Sequence, residues 1–193
     1  MPSSTDSSSN LMTAEQLHVH DTRGMRSELV RGMLVVREPA GFQHGDIAMR
    51  IAIEMGLFLR RDQLERAAEY PLGRLLAAET GFTLHRNPDT VRAPDVAFVS
   101  WHRIPTEQRG FAELAPDLAV EVLSPTDRPG DVLTKVADWL TAGSSLVWVV
   151  DPARRVARVY RADGDESLVT EASTLNGEHV LPGFTLLLRS LFA

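Results

Sequence analysis

Two apolar runs joined by an amphipathic segment occupy the middle of the chain and restrict the folds open to it. Residues 117–123 alternate valine and leucine with acidic or small side chains, which predicts a strand. Residues 146–150 are continuously apolar, as in a strand that is buried on both faces. Between them, residues 129–142 carry apolar side chains at helical spacing and end before Gly143. We therefore predict a strand, a helix and a second strand within one sheet-containing core.

Three charged residues lie in or beside these apolar segments. Residues 91–100 predict one further strand, which carries Asp95 directly after Pro94, and the proline indicates an irregular start. Glu121 stands between two valines in the next strand, and Lys135 lies on the helix that follows. A charge in apolar surroundings needs a partner, a metal or a catalytic role.

Two carboxylates on neighbouring strands can hold one divalent cation. Mg²⁺ prefers oxygen ligands, takes few of them from protein and keeps waters for substrate phosphates. Such an ion can polarise a phosphoryl oxygen and lower the pKa of a bound water, and a nearby ammonium can stabilise charge at the phosphate. Asp95, Glu121 and Lys135 supply these groups in that chain order. One interpretation is therefore phosphodiester hydrolysis with Mg²⁺ or Mn²⁺ bound by Asp95 and Glu121.

Each of these residues also has a purely structural interpretation. Asp95 could cap a turn, and Glu121 could pair with Arg92 across the sheet. Lys135 follows Asp131 by four residues, so a helical surface ion pair worth about 0.3 kcal/mol would account for it. The structural interpretation is less convincing for all three together, because they fall around one strand–strand–helix unit.

The sequence before this unit predicts a hairpin and a long helix. Residues 27–38 form two apolar runs around an Arg-Gly turn, which is typical of a tight hairpin. Residues 42–60 have apolar side chains at helical spacing, and His44 lies on the buried face where the helix begins. This histidine is either a hydrogen-bonded core residue or one that points into a site at the helix start. Residues 74–84 predict one or two strands.

The ends of the chain predict a polar tail and a further hairpin. Residues 1–10 are polar and of low complexity, so we expect a disordered tail. Residues 155–171 predict a second hairpin. The remaining chain, residues 11–193, is expected to form one domain. The hairpins at both ends predict an oligomerisation surface.

The amino-acid composition restricts the cellular compartment and the binding partners expected for the protein. The chain has no cysteine, which excludes disulfides and thiolate metal sites and favours a reducing cytoplasm. No apolar run approaches the roughly 18 residues that cross a bilayer, so no membrane association is expected. The net charge of −6 is atypical of a nucleic-acid-binding protein, although a carboxylate metal site adds negative charge locally. Lys135 is the only lysine in the chain.

The order of the predicted elements resembles the core of the PD-(D/E)XK restriction-endonuclease-like superfamily. More specifically, the chain is similar to a large bacterial restriction endonuclease family long known as a domain of unknown function. The likeness covers nearly everything after the polar tail, and residues 116–125 followed by Lys135 and residues 148–152 are its most specific part. The other matching segments are residues 28–32, 43–44, 78–82 and 92–96.

The resemblance implies an α/β (α+β) fold with a mixed central sheet flanked by helices and with β-hairpin additions at both ends. It makes Asp95 the motif aspartate and Glu121 the motif glutamate, both of them metal ligands. The lysine usually found two positions after that glutamate is replaced by Leu123, and the resemblance moves its role to Lys135. The accessory positions that match residues lining such a site are His44, Glu28 and Glu79.

The resemblance also implies DNA as the substrate and a Mg²⁺- or Mn²⁺-dependent endonuclease as the activity. A homodimer would suit the cutting of two strands. The alternative is a catalytically inactive scaffold of the nuclease fold, or a nucleic-acid-binding module, because fold and function separate readily. A third interpretation is a metal-dependent hydrolase of a smaller phosphoester.

Overall fold

The computed structural model of the protein describes residues 11–20, 25–67, 69–78, 80–106 and 109–193. The tail predicted over residues 1–10 and the predicted site residue Glu79 lie outside these ranges. The helices are α1 (Ala14–Val19), α2 (Phe42–Glu65) and α3 (Pro129–Thr141). The strands are β1 (Arg26–Val30), β2 (Met33–Arg37), β3 (Gly73–Ala77), β4 (Phe82–His85), β5 (Thr90–Arg92), β6 (Val96–Ser100), β7 (Leu118–Val122), β8 (Leu146–Asp151), β9 (Val156–Arg161), β10 (Glu166–Thr170), β11 (Thr174–Asn176) and β12 (Thr185–Leu187).

A six-stranded mixed sheet with the order β10-β9-β8-β7-β6-β3 forms the centre of the fold. Strands β7 and β8 run parallel and are joined by α3, whereas the other neighbours in this sheet are antiparallel. A four-stranded antiparallel sheet, β2-β1-β5-β4, lies beside it, and β11 and β12 form a small third sheet. The predicted mixed central sheet with a strand–helix–strand unit is confirmed.

The segment 91–100, predicted to be one strand, is two strands in different sheets. Strand β5 belongs to the four-stranded sheet and β6 to the six-stranded sheet, so this prediction was wrong. The break falls at Pro94, which has no N–H to donate to a ladder. Asp95 follows the break, and its N–H donates to the carbonyl of Val120 at 3.0 Å. The crossing therefore places Asp95 at the junction of the two sheets, next to β1.

The six-stranded sheet is covered on both faces. One face packs against α2 and the C-terminal segment, with Ile51, Trp148 and Phe184 fully or almost fully buried. The other face packs against α3, where Trp139 and Val147 are buried. Strand β8 is buried along five of its six residues, as its continuous apolar sequence predicts.

The N-terminal hairpin forms as predicted and holds β1 beside the central sheet. Its turn residues Arg31 and Gly32 both have positive φ, 49° and 78°, as a tight hairpin turn requires. Leu11 covers this turn, and a Cβ on residue 32 would lie only 2.7 Å from the Cβ of Leu11. The turn therefore requires glycine for its contact as well as for its backbone angle.

Helix α2 extends to Glu65, about one turn beyond the predicted end near residue 60. Its first turn carries His44, and the side chain of His44 contacts Asp95. Within the residues that the structure describes, neither α2 nor any other helix combines the length and the apolar character needed to cross a bilayer.

Candidate active site

A cavity of about 630 Å³ lies where the N-terminus of α2, the hairpin β1–β2, the start of β6, the end of β7 and α3 meet. All five predicted site residues within the described ranges line this one cavity. Glu79, the sixth, lies outside those ranges. The predicted site residues on its wall are Glu28, His44, Asp95, Glu121 and Lys135.

Asp95 and Glu121 face each other from neighbouring strands. The antiparallel register pairs Val96 with Val120, so the next pair outward is Asp95 with Glu121. Side chains of directly opposed residues lie on one face of a sheet, about 5 Å apart at Cβ. Both residues are buried, with 4% and 6% exposure. Two carboxylates held this closely out of water need cations beside them.

Asp95 is surrounded by donors. Its Oδ2 accepts a hydrogen bond from the N–H of Val122 at 2.8 Å and lies 3.1 Å from Nε2 of His44. Its Oδ1 accepts from Nη2 of Arg26 at 3.1 Å. Burial raises the pKa of Asp95, but the contacts with His44, Val122 and Arg26 outweigh burial and hold the pKa below its usual range. Asp95 is therefore an anion at neutral pH.

Glu121 has one partner for each oxygen, both on α3. Nζ of Lys135 donates to Oε2 at 2.8 Å, and Nε1 of Trp139 donates to Oε1 at 2.9 Å. Burial and the charges of Asp95 and Glu28 raise the pKa of Glu121, a rise that Lys135 opposes. Burial lowers the pKa of Lys135, but the negative charges of Glu121 and Glu28 raise this pKa by more than burial lowers it. The lysine therefore stays protonated.

Glu28 ties the hairpin to the other strands of the site. Its Oε1 lies 3.5 Å from Nζ of Lys135 and accepts from the N–H of Ala93 at 3.2 Å. Its Oε2 accepts from Nη1 of Arg92 at 3.0 Å and lies 3.5 Å from Nε of Arg37. Burial raises the pKa of Glu28, but the positive charges of Lys135, Arg92 and Arg37 together with the N–H of Ala93 hold it below the usual range.

The purely structural pairings considered from the sequence are not the ones that form. Arg92 does not reach Glu121; it donates to Glu28 and, through Nε and Nη2, to Asp138 at 2.9 and 2.6 Å. Lys135 pairs with Glu121 and Glu28. Within the described residues, the ion pairs of Lys135 do not include Asp131. Lys135 therefore lines the cavity.

Sequence reasoning missed several residues that complete the site. The helical spacing of residues 129–142 accounts for Trp139 as one more apolar residue, yet its spacing of four from Lys135 puts both on one side of the helix. Arg26 and Arg37 come from a hairpin about 60 residues or more before Asp95 or Glu121, and no local pattern connects them. Arg92 carried a signal, because an arginine two residues before Pro94 stands inside apolar sequence.

Substitution of Glu28 by glutamine is expected to destabilise the fold in a pH-dependent way. The pKa of Glu28 lies below its reference value of 4.5 in the folded state. Its carboxylate therefore contributes stability that is present above pH 4.5 and is lost as the pH falls through the folded-state pKa. We expect Glu28→Gln to be roughly 1–3 kcal/mol less stable than wild type at pH 7. Urea unfolding at a series of pH values should show this difference closing on acidification, and a constant difference would contradict the assignment.

The donor chemistry of the cavity fits a divalent cation. No group of three or more histidine, aspartate or glutamate side chains is poised to hold a metal among the described residues. Mg²⁺ needs only one or two carboxylates and completes its shell with water, and Asp95 with Glu121 meets that requirement. Arg26 and Lys135 now supply positive charge to these carboxylates. A bound cation would take over that role.

Comparison with known proteins places this geometry in context. A family model described as "Uma2: Putative restriction endonuclease" matches residues 13–189. Among solved structures, the chain is similar to a protein from Anabaena variabilis ATCC 29413 described as a "putative nuclease belonging to DUF820". The match has a TM-score of 0.78 and 20% sequence identity, and it covers 94% of this chain and 97% of the other. It confirms the predicted fold class. No curated protein matches the chain significantly.

Proposed function

The chain belongs to the Uma2 family, and we propose that it is a metal-dependent endonuclease that hydrolyses phosphodiester bonds of DNA. The observation that carries the proposal is the convergence of Asp95, Glu121 and Lys135. Asp95 directly precedes β6 and faces Glu121 on β7, and the ammonium lies 2.8 Å from Glu121. All three line one cavity. The absence of cysteine supports a cytoplasmic location.

Asp95 and Glu121 would hold the cation, either Mg²⁺ or Mn²⁺. When bound, it would polarise a phosphoryl oxygen and lower the pKa of a coordinated water. Asp95 is ionised because its donors outweigh its burial. Glu121 is oriented by Trp139 on one oxygen and by Lys135 on the other. The chain therefore holds both carboxylates on the wall of one cavity, where a bound cation would take the place of the charges of Arg26 and Lys135.

The cations of the cavity suit a phosphate. Lys135 keeps its proton and would stabilise negative charge that builds up at the scissile phosphate. Arg26 and Arg37 also line the cavity, and guanidinium groups bind phosphate oxygens with two parallel hydrogen bonds. Arg26, Arg37 and Lys135 thus place three cations beside the acidic residues of the cavity, in a chain that as a whole carries −6.

A catalytically inactive scaffold or nucleic-acid-binding module is the second candidate. One observation favours it: the carboxylates of Glu28, Asp95 and Glu121 are all neutralised by side chains of the same chain. Breaking a buried ion pair by removing one partner is costly, so this network alone could be why the residues are there. This candidate predicts that neither metal binding nor cleavage occurs.

The deciding experiment is calorimetric titration of the protein with Mn²⁺, followed by incubation of the same sample with supercoiled plasmid. Mn²⁺ binding and metal-dependent nicking would support the endonuclease. Mn²⁺ binding without nicking, together with hydrolysis of a small phosphodiester, would favour a hydrolase of smaller substrates. Absence of binding both with and without DNA would overturn the enzyme and leave the scaffold.

Lys135→Met is expected to separate charge stabilisation from metal binding. We expect the nicking rate to fall by about 10²–10³-fold, while Mn²⁺ affinity stays the same or rises because a competing cation has left Glu121. Lys135→Arg keeps the charge and is the matched control. It should retain more activity than Lys135→Met. Equal rates for wild type and Lys135→Met would show that the ammonium only neutralises Glu121.

A further inference from the structure

Helix α2 carries two apolar faces, of which only one is covered. Its inner face is buried against the central sheet through Ile47, Ile51, Met55 and Leu59. The opposite face presents five large apolar side chains with exposures between 49% and 93%. At 3.6 residues per turn they lie within an arc of roughly 80°. We call this face, with the two charged residues on it, the α2 stripe; its members are Phe42, Asp46, Met49, Ile53, Leu57, Arg60 and Leu64.

Exposed side chains of this number and size, along one helix, are unusual for a surface without a partner. A contiguous apolar patch on a soluble protein typically marks an interaction site. Other exposed large apolar residues, such as Met33, Leu133 and Leu168, lie on separate elements. The α2 stripe therefore requires an occupant, and its sequence indicates which one.

The residues of the α2 stripe are spaced symmetrically about Ile53 along the helix. Successive members are separated by 4, 3, 4, 4, 3 and 4 residues, with Ile53 at the centre. When two copies pack antiparallel with Ile53 on a two-fold axis, Phe42 faces Leu64 of the second copy. Met49 then faces Leu57. This is the reciprocal pattern of an isologous interface, in which residue i contacts j and j contacts i.

The charges on the α2 stripe obey the same symmetry. Asp46 and Arg60 are each seven residues from Ile53, so the antiparallel arrangement brings each aspartate to the arginine of the other copy. Asp46 uses one carboxylate oxygen for an ion pair with Arg50 at 2.9 Å. The side chain of Arg60 makes no hydrogen bond or ion pair with any other residue of the described chain. A parallel arrangement would instead oppose like charges.

We infer that the α2 stripe is the interface of a two-fold symmetric homodimer, formed by antiparallel packing of α2 against α2 of a second copy. A 24-residue helix is about 36 Å long, and two such stripes together offer roughly 1,000 Å² of apolar surface, near the lower limit of specific interfaces. This surface differs from the hairpins, which the sequence had indicated for oligomerisation. The inference does not depend on catalysis.

Sedimentation equilibrium of the full chain tests the inference. Wild type should behave as a dimer, with twice the 21.3 kDa mass of the chain. Ile53→Glu places two like charges on the axis and should raise the dimer dissociation constant at least about 30-fold. Leu133→Glu is the matched control, because Leu133 is a helical residue with 53% exposure, against 49% for Ile53. It should remain dimeric.

A cross-linking experiment covers the case in which Ile53→Glu does not fold. The chain has no cysteine, so Ile53→Cys introduces a single thiol at the axis. Oxidation should then link two chains into one band on a non-reducing gel, whereas Leu133→Cys should not be cross-linked and should run as a single chain. A monomeric wild type would overturn the inference and leave the stripe to a different partner. A dimer that survives Ile53→Glu and is not linked by Ile53→Cys would overturn it as well.

Discussion

Asp95→Asn should abolish metal-dependent cleavage while leaving the fold intact. The amide has the shape of the carboxylate and can still accept the N–H of Val122, which donates to Asp95 at 2.8 Å. It cannot supply the negative charge that a hard cation requires. Loss of several kcal/mol of metal-derived stabilisation corresponds to a fall in the nicking rate of at least about 10³-fold. Glu121→Gln should fall by a similar factor.

Plasmid nicking in Mn²⁺ measures this effect, and calorimetry on the same samples measures metal affinity. Both acid variants should lose Mn²⁺ binding together with cleavage. Asp131→Asn is the control, because Asp131 is an exposed acid in the first turn of α3, outside the cavity. It should cleave at the wild-type rate. An Asp95→Asn protein that folds and nicks plasmid as fast as wild type would refute the assignment of the site.

Arg92→Ala should cause the largest loss of stability of any single substitution in the network. Arg92 is 3% exposed and joins Glu28 on β1 to Asp138 on α3. Its removal leaves a buried carboxylate on one side and a half-buried one on the other. Breaking a buried pair in this way costs about 3–5 kcal/mol, because Glu28 keeps only Lys135, Arg37 and the N–H of Ala93. Asp138 loses the guanidinium with which it pairs.

Urea unfolding at neutral pH measures the loss. Arg66→Ala is the matched control, since Arg66 also grips one aspartate, Asp62, with Nε and Nη2, but lies exposed at the end of α2. Its substitution should change the unfolding midpoint little. Glu28→Gln combined with Arg92→Ala should cost less than the sum of the two single changes, because each removes part of the same interaction. Strict additivity would show that the two residues act independently.

The elements of the fold were predictable where a local pattern determines them. The alternation of 117–123, the apolar run of 146–150 and the helical spacing of 129–142 each became the expected element. The hairpin turn at Gly32 was predicted because few residues other than glycine adopt its backbone angles. The break at Pro94 was missed. A proline at the start of a strand and a proline between two strands of different sheets have the same local sequence.

The sequence indicated which charged residues lie together in the candidate site, but not which residues pair with them. Asp95, Glu121 and Lys135 were identified as charges within apolar sequence and through a family resemblance, and the structure brings them to one cavity. Their partners were not identified. Arg26 reaches Asp95 across 69 residues and Arg92 reaches Glu28 across 64. Contacts between residues so far apart in the chain produce no periodic pattern in the sequence. The sequence therefore indicated Arg92 as the partner of Glu121 and Asp131 as the partner of Lys135, and neither pair forms.

By itself, the sequence determined which segments become strands and helices and which charged residues are costly to bury. Hydrophobic period, turn chemistry and proline act over a few residues, and they are readable at that range. Only the tertiary structure decided which charges neutralise which and which face of α2 remains open. These outcomes depend on how β1, β5 and α3 meet around the end of β7. The carboxylates had to be paired because burial excludes water, but their partners were set by the packing of distant elements.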